Sequence, residues 1–105
     1  MSTFDERGDE FENKYAHDAQ IQFKVEARRN KLLGEWAAGL LGKSGDDTAS
    51  YVTEVIKSDF EEAGDEDVYR KLAGDLGVAK SEEEIRAKMS ECLAEAKKQI
   101  MEEIT

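Results

Sequence analysis

Residues 81–104 read SEEEIRAKMSECLAEAKKQIMEEI, and their periodicity is the most regular in the chain. Ile85, Met89, Leu93, Ala96, Ile100 and Ile104 recur at three- and four-residue spacing, with Cys92 on the same side, as one face of an α-helix requires. Ser81 and Glu84 match the S-x-x-E capping box directly ahead of that run. The stretch predicts a long helix with one apolar face, and such a face must be covered by other elements.

Three more helices are predicted upstream. Gly42, Gly64 and Gly77 each close a periodic segment, where a left-handed cap favours a residue without Cβ. Ser44 or Asp46, and then Asp65, are placed to cap the second and third of these helices. The first centres its apolar face on Leu33, Trp36, Ala37 and Leu40, flanked by Phe23, Val25 and Leu41. The second offers Val52, Val55, Ile56 and Phe60, and the third Val68, Tyr69, Leu72 and Leu76. Short connections favour antiparallel neighbours, so an all-α, four-helix bundle is expected over residues 20–105. Gly34 and Gly39 inside the first helix each cost about 0.5–1 kcal/mol relative to Ala, which suggests close helix approach there.

Residues 1–20, MSTFDERGDEFENKYAHDAQ, contain no Leu, Ile or Val. Thr3 and Glu6 match a capping box, and on a helix Phe4, Phe11 and Tyr15 share a strip roughly 40° wide, with Gly8 and Ala19 near its edge. This ridge is too sparse to form a core alone, and isolated helices are marginal in water. The segment 1–19 is therefore expected to be mobile or partly helical, either packing on the bundle or waiting for a partner.

Composition narrows the function. The 105 residues suit one domain, and 38% charged residues, 39% hydrophobic residues and no proline favour amphipathic helices. A formal net charge of -10 argues against nucleic acid and anionic membrane surfaces, which are bound chiefly through Lys and Arg. Cys92 is the single cysteine, so no internal disulfide forms and a reduced, cytoplasmic setting is expected. The longest apolar stretch, LLGEWAAGLLG, is too short and too interrupted to span a bilayer.

Catalytic and metal motifs are incomplete. AGLLGKS ends like a phosphate-binding loop, but Ala37 stands where the first glycine belongs and Gly42 closes a helix rather than opening one. Lys43 and Ser44 remain the candidate nucleotide contact. EEAGDEDVYR lacks the Asp or Asn ligand that an EF-hand needs at Tyr69 and the turn glycine it needs at Arg70. His17 is the only histidine, Lys14 replaces the glutamate of an E-x-x-H pair, and Cys92 sits on an apolar face. No catalytic residue, metal site or cofactor is expected. Charge is unevenly spread: residues 46–67 hold nine acidic side chains and one base, Lys57, while Lys24, Arg28, Arg29 and Lys31 form a basic patch opposed only by Glu26. That patch is a candidate docking surface for an acidic partner or a cradle for the acidic N-terminus.

The stretches TFDERGDEFENK, YAHDAQIQFKVEARRNKLLGEWAAGLLGKSGDD and VIKSDFEEAGDEDVYRKLAGDL resemble the zeta inhibitor subunit of alphaproteobacterial F-type ATP synthases over nearly the whole chain. AHDA, EARRNKLLG and DFEEAGDEDV are the most specific parts, because periodicity does not dictate them. The resemblance implies a protein that is no enzyme but an inhibitor of ATP hydrolysis. Its N-terminal helix would enter a catalytic interface among the alpha, beta and gamma subunits and block rotation. It also implies a monomer when free, cytoplasmic and peripheral to the inner-membrane synthase. Carried onto this sequence, Phe4, Phe11 and Tyr15 would be anchors, Arg7, Glu12, Lys14 and His17 flanking polar contacts, and the bundle from about Ile21 a docking body. The alternative from the residues alone is a stand-alone helical interaction or nucleotide-sensing protein.

Overall fold

The computed structural model describes the backbone of residues 3–60 and 65–104 and the side chains of residues 10–60 and 65–104. The chain is all-α. Its helices are α1 (Thr3–His17), α2 (Ala19–Leu40), α3 (Asp46–Ser58), α4 (Glu66–Leu76) and α5 (Glu82–Ile104), with a 3₁₀ turn over Gly77–Ala79 leading into α5. The Thr3–Glu6 capping box, the side chains of Phe4 and Arg7, and Gly64 lie outside the described residues.

Helix α2 is the spine, with α3 and α5 packed along it. Asn30 meets Asp59 while Gly34 meets Val52, so α3 runs antiparallel to α2. Arg28 meets Gln99 while Lys88 lies over Trp36, so α5 is antiparallel to it too. Helix α4 returns against α3 through Tyr51–Asp75 and Glu54–Lys71 contacts. The larger apolar cluster joins Leu33, Ala37, Ala38, Tyr51, Val55, Val68, Leu72, Leu76, Ile85, Met89 and Cys92. A smaller one joins Phe11, Val25, Ala96 and Ile100, so α1 contributes to the core.

The stripe buried by α2 differs from the one expected. It consists of Val25, Arg29, Asn30, Leu33, Gly34, Ala37 and Ala38, whereas Leu40, Leu41 and Phe23 are exposed and Trp36 is half-buried. The reason is steric. A Cβ at Gly34 would sit 2.9 Å from the Val52 Cα, so the small residues of α2 let the α3 backbone approach and the stripe rotates toward them. Gly39, expected to serve the same purpose, faces open space. On α3 the buried aromatic is Tyr51, while Phe60, expected in the core, is 68% exposed and leans on Phe23 with ring centroids 6.3 Å apart.

The caps follow the sequence in part. Ser81 N–H donates to Glu84 Oε1 (3.1 Å) and Glu84 N–H donates to Ser81 Oγ (3.2 Å), a complete capping box. Gly42 (φ +75°) and Gly77 (φ +56°) take the positive φ expected of them, although Gly77, with ψ -128°, lies outside the left-handed helical region. Neither Ser44 nor Asp46 caps α3. Gly45 (φ +56°) holds the N-cap position without a side-chain bond, and the Ser44 carbonyl accepts from Asp47 N–H at 3.1 Å. Asp65 stands at the N-cap of α4 but makes no side-chain cap, because its carboxylate is turned toward Arg29.

Candidate functional site

Helices α1 and α2 meet at one extended residue, Asp18 (φ -110°, ψ 107°). Its Oδ1 accepts from Gln20 N–H (2.9 Å) and Ile21 N–H (3.3 Å), satisfying two of the four amides that open α2. Its own N–H donates to the Lys14 carbonyl at 2.7 Å, which continues the ladder of α1. From the first turn of α2, Gln22 Nε2 reaches back to the Tyr15 carbonyl at 2.7 Å. The AHDA stretch is therefore a one-residue junction, where the Asp18 carboxylate starts α2 and the Gln22 amide, reaching back from α2, closes α1.

On the α1 side of that junction, Phe11 and Tyr15 of the aromatic ridge lie against the body. Phe11 is 4% exposed and packs with Val25, Ala96 and Ile100, and its ring lies 6.5 Å from that of Tyr15 in a stacked arrangement. Lys97 of α5 holds its ammonium 4.4 Å from the centre of the half-buried Tyr15 ring and 3.6 Å from Glu12 Oε2. Burial, followed by the nearby Glu26, pushes the Tyr15 phenol above its ordinary pKa. A cavity of about 500 Å³ runs between α1 and α5, with Phe11, Leu93, Ala94 and Met101 along it and Lys97 and Lys98 at its edge. Glu12, Lys14 and His17 are exposed.

The basic patch is divided by the fold. Lys24 and Lys31 are exposed, and Arg28 is half-buried, donating to Gln99 Oε1 at 2.7 Å and lying 2.7 Å from Glu103 Oε2. Arg29, expected on the surface with them, is 2% exposed. Its Nη1 lies 2.7 Å from Asp65 Oδ1, its Nε donates to Asn30 Oδ1 at 3.0 Å, and Nη2 is 3.5 Å from Asp59 Oδ2. Asn30 Nδ2 donates to that same Asp59 oxygen at 3.0 Å. Burial raises the Asp59 pKa, opposed by the Asn30 hydrogen bond and by Arg29. The signal for this network was in the sequence: Arg29 is four residues from both Val25 and Leu33 and so belongs to their stripe.

Lys43 and Ser44 are exposed on the loop before α3. Lys43 lies 5.8 Å from the Tyr51 ring and borders a cavity of about 310 Å³ with Leu41, Tyr51, Glu54 and Asp75. The Tyr51 hydroxyl donates to Asp75 Oδ2 at 2.8 Å, and Lys71 pairs with Asp75 (2.9 Å) and Glu54 (3.1 Å). Lys43 and Lys71 on one side and Glu54 and Asp75 on the other leave the surroundings of the cavity without net positive charge. The Cys92 thiol is buried, and burial pushes its pKa up, which suits a packing residue rather than a nucleophile.

Fold and site together define an all-α protein whose N-terminal helix, joined at a single-residue junction, carries an aromatic face folded back on the body. The sequence model of the family described as ATPase inhibitor subunit zeta matches residues 1–99, and the chain belongs to that family. It is thus a non-catalytic, regulatory protein. A comparison with curated proteins found no significant match. Among solved structures, a chain determined by solution NMR is 58% identical and superposes with a TM-score of 0.73, covering 79% of this chain and 98% of that one. No described helix is long and apolar enough to cross a membrane.

Proposed function

We propose that this protein inhibits ATP hydrolysis by the F-type ATP synthase, and that residues 1–19 are the inhibitory segment and residues 20–105 a four-helix docking body. The helix wedges a catalytic interface among the alpha, beta and gamma subunits, so that rotation in the hydrolytic direction stops. Phe4, Phe11 and Tyr15 act as anchors, because aromatic side chains buried at an interface centre carry much of its energy. Arg7, Glu12, Lys14 and His17 make the flanking polar contacts, and Lys24 and Lys31, with the exposed part of Arg28, face an acidic surface of the motor. The site of action is the cytoplasmic face of the membrane, peripheral to the synthase.

The observation that carries this reading is the Asp18 junction, which joins an aromatic helix to the body through one extended residue, in a chain of the inhibitor family. The test is a titration of ATP hydrolysis by the purified cognate motor with the full chain and with a chain lacking residues 1–17, which retains the Asp18 cap. Full-length protein is expected to inhibit and the truncated one to remain a cooperatively folded helical body without activity. A truncated chain that inhibits fully would sink the mechanism. The burial of Phe11 at home favours a second reading, a stand-alone interaction protein, and a full-length chain inert toward the motor would return weight to it.

A further inference from the structure

Two of the three anchors assigned to the partner, Phe11 and Tyr15, are occupied in the free chain. Phe11 is 4% exposed against Val25, Ala96 and Ile100, and Tyr15 is held under the Lys97 ammonium, which also pairs with Glu12. One helix face cannot cover the body and a motor interface at the same time. The Asp18 cap, in contrast, survives when α1 leaves, since it is made to the amides of Gln20 and Ile21, both on the body side, and what the junction gives up is the Gln22 bond to the Tyr15 carbonyl.

We propose that α1 is autoinhibited, with Lys97 of α5 as the clasp that holds the inhibitory face at home. Inhibition then requires release of α1 before or during docking. This rests on the proposed function. A ligand face that is free only part of the time binds with an apparent affinity reduced by the free fraction. The clasp reads two features of α1 at once, the π-face of Tyr15 and the carboxylate of Glu12, and each is a weak contact at a partly exposed site. A weak clasp suits a latch that must open. Glu12 and Tyr15 are three residues apart, so one ammonium reaches both.

The test is Lys97→Glu, which removes the cation from Tyr15 and sets a like charge against Glu12 without altering any anchor. Two readouts are taken, on the free full-length chain and on the motor. By NMR, the wild type is expected to show contacts between the Phe11 ring and the Ile100 methyls, and the variant to lose most of them with the melting of the body unchanged. In the ATPase titration, the variant is expected to lower the half-inhibitory concentration by roughly three- to tenfold, the size that two weak contacts provide. Unchanged or weaker inhibition by the variant overturns the clasp, as does a wild-type chain without Phe11–Ile100 contacts. If the wild type shows those contacts but neither protein inhibits, the parent assignment fails, while the NMR pair still reports whether Lys97 holds α1.

Discussion

Arg29 Nη1 and Asp65 Oδ1 are 2.7 Å apart, with the guanidinium 2% exposed and the carboxylate half outside. Thirty-six residues separate them in sequence. The pair joins two of the three stretches that helical periodicity does not dictate, EARRNKLLG on α2 and DFEEAGDEDV, whose last three residues open α4. Asn30 and Asp59 complete the network, and the buried Asp67 lies close enough to Asp59 to raise its pKa. Removing one partner of a buried ion pair leaves an uncompensated charge, typically at a cost of ~3–5 kcal/mol. Arg29→Ala is therefore expected to lose stability in that range by urea unfolding, and Arg29→Lys markedly less. Equal losses would mean that the hydrogen-bond geometry of the guanidinium, rather than its charge, holds the loop.

Gly34 and Gly39 have identical helix propensities but opposite surroundings. A Cβ at Gly34 would meet the Val52 backbone at 2.9 Å, whereas one at Gly39 meets nothing within 4 Å. Overpacking against backbone typically costs ~1–3 kcal/mol, more than the ~1 kcal/mol that Ala gains over Gly in a helix. Gly34→Ala is expected to lower the melting temperature and Gly39→Ala to raise it slightly. A stabilising Gly34→Ala would show that α3 can slide away from α2.

Phe11→Ala and Tyr15→Ala act on both sides of the proposed switch. Each frees α1 from the body, which favours inhibition, and each removes an anchor, which opposes it. Interface anchors typically lose ~2 kcal/mol or more on truncation, exceeding weak surface contacts. Both variants are expected to inhibit at least tenfold less well than Glu10→Ala, whose side chain is exposed. Equal titration curves for all three would point to a generic electrostatic contact.

The capping box of α5 gives a signed pH effect. Hydrogen bonding to the backbone and side chain of Ser81 holds the Glu84 carboxyl below its ordinary pKa, aided by Lys80. A depressed folded pKa means that the contribution is complete above the unfolded pKa and is lost as pH falls through the folded value. Ser81→Ala is expected to move the Glu84 pKa upward toward its ordinary value in an NMR titration. It is also expected to cost about 1 kcal/mol at neutral pH, the worth of an N-cap, and less at acid pH. A stability loss independent of pH would assign the cap to the hydroxyl alone.

Helix type and much of the core were legible because they depend on local spacing. Val55, Val68, Leu72, Ile85, Met89, Cys92, Ala96 and Ile100 are buried as their periodicity requires, and the Ser81–Glu84 cap forms within a single turn. The errors arose where a residue's environment is supplied by a distant element. Arg29 read as surface because it stands among Lys24, Arg28 and Lys31 in a basic cluster, and the approach of Asp59 and Asp65 makes its burial tolerable. Phe60 and Phe23 read as core because they are large and apolar, yet α3 ends two residues before Phe60 and the two rings, both exposed, lean on each other.

For the candidate site the division is similar. By itself the sequence determined an acidic, all-helical chain, an aromatic strip on the N-terminal helix and a change of composition near residues 19–21, where aliphatic residues begin, since composition and turn chemistry are written locally. Tertiary structure alone decided that Phe11 lies in the smaller core cluster and that Lys97 lies over Tyr15, eighty-two residues away in sequence. The physical reason is that an amphipathic strip specifies the need for an apolar partner but not which one. Val25, Ala96 and Ile100 become that partner only once α2 and α5 lie antiparallel and form the groove that receives α1.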